Sequence, residues 1–413
     1  MPGIYIHIPF CKKRCIYCDF YSTTRESQRE AYVAALCREI RLRKEEADGP
    51  IETLYFGGGT PTRLQQADFE RIFETIADCY ILDPAAEITV EANPDDLSDR
   101  YVEMLSGLPF NRISIGIQSF NDRELQFLSR RHTARQAVEA VQRCRERGFH
   151  NIGIDLMYGL PGQTQSGWLK NIREAIRLEV PHISAYHLIY EERTRIYTLL
   201  QRGIITAVDE ESSSEMFAML IDTLSARGFI HYEISAFAKE GFFSRHNSSY
   251  WKGVPYLGFG PSAHSYNGNN RSYNPAFLSR YISAAIAAIA ATATNAADEA
   301  TATIAAEKAT GIDKAHKVTH TDTIAAGILI RETESLTLYE KYNEFILTGL
   351  RTMWGVNLSL LEERFGAELY QFCMENAKRF REAGLLVTEG DSLKLTREGI
   401  FISDGIMSEL MWV

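Results

Sequence analysis

IYIHIPFCKKRCIYC, residues 4–18, joins a β-rich run directly to three cysteines, Cys11, Cys15 and Cys18, within eight residues. Further β-rich runs follow: TLYFGGG (53–59), EITVEANP (87–94), RISIGIQS (112–119), NIGIDLMYGLP (151–161) and HISAYHLIY (182–190). Helical stretches separate them. One runs from Glu26 to Ala47, with Tyr32, Leu36, Ile40 and Arg43 at helical spacing. Six strands alternating with helices predict a parallel sheet with right-handed crossovers, either an open doubly wound sheet or an incomplete barrel. In both, chemistry belongs at the carboxyl ends of the strands. Cys11, the glycines 57–59, Glu91, Asn93, Gln118 and Asp155 all fall there.

The 413-residue chain is long enough for two or three domains, and its net charge of −10 argues against wrapping nucleic acid. It has no apolar run long enough to span a bilayer and no basic-then-apolar leader, which predicts a cytoplasmic protein. Seven cysteines are too sparse for a disulfide scaffold. Cys37, Cys79, Cys144 and Cys373 are scattered and read as small buried hydrophobes.

The alternation stops near residue 205. A helix (209–227) leads to GFIHYEISAFAKEG and then to the aromatic, glycine-rich RHNSSYWKGVPYLGFGPSAHSYNGNNRSYN. Residues 284–310 hold 14 Ala and 5 Thr, which predicts a weakly packed helical insert or linker. His316 and His320 nearby read as solvated surface. From Leu338 three helices and a hairpin around Gly390-Asp391 form a winged-helix-like pattern. Residues 356–413 carry ten acidic and six basic side chains, so this module reads as a structural cap and not as a DNA reader. The expected units are 1–205, 206–283, 284–337 and 338–413.

C-x3-C-x2-C turns several sulfurs to one side of a tight loop. Zinc would need a fourth ligand, and none is near, since His7 lies back in the strand. Three thiolates on a four-iron cube leave one iron open to bind a small molecule.

The spacing of Cys11, Cys15 and Cys18 resembles the signature of the radical S-adenosylmethionine (SAM) superfamily. YIHIPFC, GGGTPT, GIQSF, DLMYGLPGQT and GFGPSAHSY, in this order, resemble its branch containing the oxygen-independent coproporphyrinogen III oxidases and related heme chaperones. The resemblance implies a partial (β/α)6 barrel of TIM type, an α+β C-terminal region, and a 4Fe-4S cluster on the three cysteines. It further implies SAM bound to the open iron and cleaved on reduction to a 5′-deoxyadenosyl radical. It assigns Gly58, Gly59 and Thr60 to the methionine end of SAM. Tyr5 and Tyr17 fall near the cluster or the adenine, and Glu91, Gln118, Arg130 and Asp155 complete the polar ring. In this branch two SAM molecules are described. Arg131 competes with Arg130 for its place.

Two features separate the oxidase from the chaperone side. The oxidase carries a fourth cysteine where this chain has Phe20, and an N-terminal extension where this chain opens on a strand. The chaperone side has H-N-x-x-Y-W, which reads here as His246, Asn247, Tyr250 and Trp251. Neutral imidazole is a good axial ligand for heme iron, and Arg245 or Lys252 would suit propionates. The expectation is a heme chaperone with cluster, SAM and heme as cofactors and His246 as heme ligand. Its partners would be a cluster electron donor and heme-accepting respiratory proteins, met peripherally where these are membrane-bound. The alternative is the oxidase, which converts two propionates to vinyls.

Overall fold

The computed structural model describes residues 2–285 and 331–413. Most of the alanine-rich stretch, with His316 and His320, lies outside the described residues. Six strands, β1 (Gly3–Ile8), β2 (Ile51–Gly58), β3 (Leu82–Ala92), β4 (Arg112–Gln118), β5 (Asn151–Tyr158) and β6 (His182–His187), pair in chain order, all parallel. Between them run α1 (Arg29–Leu42), α2 (Gln66–Cys79), α3 (Asp99–Ser106), α4 (Asp122–Phe127), α5 (Ala134–Glu146) and α6 (Gln165–Arg177). Helix α1 is shorter than the spacing predicts. It is flanked by 3-10 turns at Glu26–Gln28 and Lys44–Glu46, because the backbone leaves helical geometry at Arg43.

The strands alternate with a period of two, which divides their side chains between two environments. Ile4, Ile6, Ile8, Leu54, Phe56, Val90, Ile113, Ile115, Ile154 and Ile183 are buried in one core with Leu36, Ile40, Phe69, Ile72, Val141 and Ile172 of the helices. The intervening residues are Tyr5, His7, Thr53, Tyr55, Glu87, Thr89, Glu91, Arg112, Ser114, Asp155 and Ser184. They share register across neighbouring strands: Tyr5 with Tyr55, Glu91 with Ser114, and Asp155 with Ser184. Strands covered on both faces by helices read as continuous apolar runs. Here the concave face is polar, which marks it as a place for a ligand.

The arc does not close. Helices α7 (Arg195–Gln201) and α8 (Glu210–Ser225) lead to β7 (Ile230–Glu233) and β8 (Ala236–Ala238), and β8 pairs antiparallel with β6. Helix α9 (Arg245–Trp251) is followed by β9 (Tyr256–Phe259), β10 (His264–Tyr266) and β11 (Asn270–Tyr273), and β9 lies parallel on the free edge of β1. Strand β12 (Glu332–Ser335) pairs with β11. Residues 206–283 thus extend both edges of the barrel sheet, and the 284–337 segment contributes its last strand. The result is a 12-stranded mixed sheet.

The C-terminal region has its own core around Tyr342, Ile346, Leu361, Leu369, Leu393 and Ile406. Helices Leu338–Leu350 and Leu358–Glu382 pack beside a small sheet of β13 (Val356–Asn357), β14 (Leu386–Glu389) and β15 (Ser392–Leu395). Its hairpin turns at Gly390, whose φ of 59° suits glycine. Among the described residues no helix is long and apolar enough to cross a membrane.

Candidate functional site

The cysteine loop leaves β1 at the carboxyl-end rim of the barrel. Three contacts hold it. Cys11 N donates to Thr23 O at 2.9 Å, Lys12 Nζ reaches Asp96 at 2.8 Å, and Ile16 is buried with Leu128, Met157 and Leu188. All seven cysteines are free. Burial pushes the Cys11 thiol up, and pushes Cys18 up to about 11. Both respond to their neighbours' charge, which places the triad within electrostatic range of one another. No three His, Cys, Asp or Glu side chains among the described residues converge as ligands for one metal ion. Three free thiols on one anchored loop would suit a cluster, whose irons are shared among sulfurs.

Polar side chains from three neighbouring strand ends meet this loop. Cys11 Sγ lies 3.5 Å from Thr60 Oγ1, which accepts a bond from Asn93 Nδ2 at 3.0 Å. Arg130 donates to Asn93 Oδ1 and Gly116 O, and its other nitrogen lies 3.5 Å from Cys15 Sγ. Tyr17 sits beside Arg130 and Cys15; burial raises its phenol while the arginine charge opposes the rise. Arg131 turns away to pair with Asp95. The structure therefore separates the two adjacent arginines: Arg130 belongs to the site and Arg131 to its rim. Gln118 closes β4 with φ of 70°, an uncommon conformation for a residue with a side chain. A Cβ on Gly116 would meet the Gln118 amide at 3.1 Å, so the glycine makes room for Gln118 and Arg130.

Deeper in the arc lie two carboxylates. Glu91 accepts the Tyr55 hydroxyl at 2.7 Å and Gly58 N at 3.2 Å. Gly58 has φ of 108°, and a Cβ there would meet the His7 ring at 2.7 Å. Burial raises Glu91 to about 7; the Tyr55 bond opposes this, and nearby Asp155 adds to it. Burial likewise raises Asp155 to about 6, against bonds from Ser184 and Ser114 and the charges of Arg112 and Arg130. Two buried carboxylates in one concavity suit a cationic ligand, whose charge would offset the burial that disfavours their ionised forms. Tyr5 lies one layer below this rim. Its hydroxyl reaches His7 Nδ1 at 3.2 Å, and its ring faces Tyr55 and His246.

His246 stands apart from the cysteine loop, at the amino ends of the strands. Its ring is 1% exposed. Nδ1 is 2.8 Å from Thr53 Oγ1 and Nε2 is 2.7 Å from the Tyr250 hydroxyl, so both nitrogens already have partners. An iron would have to displace one of them. Trp251 packs under the Arg351 guanidinium, and Arg245 donates to Ala85 O. Tyr55, Ser114, Ser184 and Arg112 belong to the site lining but carry no motif. The period-two alternation of their strands was the signal that could have found them.

Residues 5–175 match the Radical SAM superfamily and residues 336–402 the HemN C-terminal domain. The structure of coproporphyrinogen III oxidase (HemN) from Escherichia coli, a radical SAM enzyme, superposes with a TM-score of 0.77 at 20% identity, over 99% of this chain and 90% of that one. This is a radical SAM fold with a HemN-type C-terminal region, and superfamily membership implies a 4Fe-4S cluster and SAM. Heme chaperone HemW of Bacillus subtilis is 32% identical over the whole of this chain and 99% of its own length. HemW of Mycobacterium tuberculosis is 30% identical over 99% and 94%. The chain belongs to the HemW family.

Proposed function

We propose that this protein is a heme chaperone that binds heme and passes it to an acceptor heme protein, using a cluster on Cys11, Cys15 and Cys18 and SAM in the adjoining pocket. The observation that carries the reading is Phe20. It stands where the oxidase has a further thiol, and its ring is 68% exposed beside the cysteine loop. A carbon radical used for turnover has to be shielded from water and stray donors. An exposed ring at the rim suits docking of a flat apolar ligand better than such enclosure. Full-length kinship with proteins named heme chaperones supports the same reading, whereas the likeness to the oxidase concerns the fold alone.

A cluster held by Cys11, Cys15 and Cys18 would supply the electron that SAM chemistry needs. The chain's own residues then divide the work. Gly58, Gly59 and Thr60 offer close backbone approach, and Glu91 and Asp155 offer negative charge to the sulfonium and amino groups. Gln118 and Arg130 present donors, and Tyr5 and Tyr17 wall the space. An electron donor in the cytoplasm and respiratory heme proteins as acceptors, reached peripherally at the membrane, complete the proposal.

The test is a paired assay on anaerobically reconstituted protein. Stoichiometric heme binding with no coproporphyrinogen decarboxylation, in the presence of SAM and reductant, is the expected result. Appearance of vinyl-bearing product would overturn it in favour of the oxidase.

A further inference from the structure

The HNSSYW segment forms helix α9, which lies under the arc at the amino ends of β1–β3. Ser244 caps it, and both oxygens of buried Glu87 accept the main-chain N–H groups of Arg245 and His246 at 3.0 Å. The imidazole is then held from both sides, by Thr53 of β2 and by Tyr250 one turn along its own helix. Its face lies against Tyr55, with centroids 4.9 Å apart and planes 21° from parallel. Tyr5 flanks it at 6.4 Å and 27°. A Cβ on Gly3 would come within 3.3 Å of His246 Nδ1, so the strand beside the ring also leaves it little room.

Tyr55 has little freedom above that tile. Stacked on His246, it points its hydroxyl at Glu91, and the other Glu91 oxygen takes Gly58 N. The chain of contact is continuous: Thr53 and Tyr250 fix the imidazole, the imidazole fixes the phenol, and the phenol fixes the carboxylate. A buried ring with both nitrogens engaged is also a poor starting point for binding iron, because ligation would leave a hydroxyl unpaired in the core.

We infer that His246 is a positioning residue of the SAM pocket: it braces Tyr55 from below so that Tyr55 holds Glu91 in place. This rests on the reading of Glu91 as a SAM-binding carboxylate.

The experiment measures SAM dissociation constants by equilibrium dialysis on reconstituted protein, with iron, sulfide and heme quantified in parallel. Tyr55→Phe should weaken SAM about five- to tenfold, the scale of one lost hydrogen bond. His246→Ala should weaken it about two- to tenfold, the scale of a lost aromatic contact, with iron and sulfide unchanged. The double variant should be no weaker than the poorer single one, because both act through one bond. His246→Phe keeps a ring face under Tyr55 and should recover SAM binding to within about threefold of the parent. Should His246→Ala fold poorly, Tyr250→Phe removes one tether of the ring and should weaken SAM about twofold.

Additive losses, or a Phe variant no better than Ala, would overturn the inference. So would loss of heme from His246→Ala with SAM affinity intact, which would return the residue to the heme. Glu91→Gln separates the two levels. If it leaves SAM affinity unchanged, the pocket assignment fails; if it weakens SAM while His246→Ala does not, only the bracing role fails.

Discussion

Arg130 and Cys15, 115 residues apart in the chain, come within 3.5 Å at the mouth of the barrel. The contact joins the segment between α4 and α5 to the loop after β1. The same guanidinium donates to Asn93 after β3 and to Gly116 on β4. One cation thus ties the ends of β3 and β4 to the cysteine loop after β1.

Removing that cation should be felt at the cluster. Arg130→Ala is expected to keep four-iron stoichiometry but lower the cluster's reduction potential, because positive charge beside a thiolate favours the reduced, more negative state. EPR-monitored redox titration of both proteins would show it. An unchanged potential would mean that the contact does not persist in the loaded protein.

The cysteines divide sharply. Cys11→Ala, Cys15→Ala and Cys18→Ala should each abolish iron and acid-labile sulfide. Cys37→Ala, Cys144→Ala and Cys373→Ala replace thiols buried in apolar cores, and Cys79→Ala replaces a half-buried one on α2. These four should retain the cluster. Stoichiometric zinc without sulfide in the parent protein would contradict the assignment.

SAM affinity should rise with pH. Burial raises Glu91 to about 7 and Asp155 to about 6, so at lower pH both are largely neutral and attract a sulfonium weakly. Affinity should climb as pH rises through these values and flatten above them, and Glu91→Gln should remove the upper part of the climb. The linked effect on stability has the opposite sense. A carboxyl whose folded-state pKa is raised contributes stability below its unfolded value of 4.5, and this is lost as pH rises toward 7. Without ligand, Glu91→Gln should therefore gain in melting temperature relative to the parent as pH rises from 4.5 to 7. Melting curves across that range, with and without SAM, test both senses.

A different buried charge holds the sheet extension to the barrel. Glu39 on α1 and Arg43 just past its end are each 1% exposed and pair at 2.8 Å. Arg43 also donates to Gly258 O and Ser265 Oγ, and Glu39 collects Gly260 N, Asn274 and Tyr281. Arg43→Ala strands that carboxylate and should cost about 3–5 kcal/mol in denaturant unfolding. A loss below about 1 kcal/mol would show that water or a neighbouring cation replaces the guanidinium.

Much of this molecule was legible in order along the chain. The six strands stand where the β-rich runs are, with ends shifted by up to about five residues, the scale of boundary error in such readings. The strongest signal, C-x3-C-x2-C after a strand, is local: all three thiols sit on one loop, so their association needs no tertiary information. Glu91, Gln118 and Asp155 could be placed at strand ends for the same reason. What could not be read was which of Arg130 and Arg131 turns inward, since adjacent residues differ only in the direction the fold gives them. Nor did any motif announce Tyr55, whose importance comes from lying over Glu91 in the register of β2 and β3.

The sequence by itself determined the alternation of strands and helices, the cysteine loop and the kinship of the whole chain, because each depends on residue type at short spacing. Only the tertiary structure decided how the 206–283 segment attaches and what His246 touches. Strands β8 and β9 occupy opposite edges of the arc, and the pairing of Tyr256 with Gly3, from opposite parts of the chain, leaves no local trace. A histidine followed by Tyr and Trp reads as a heme ligand, and ligation would use one of its ring nitrogens. Whether a nitrogen is free is set by Thr53 and Tyr250, which packing brings to the two sides of the ring.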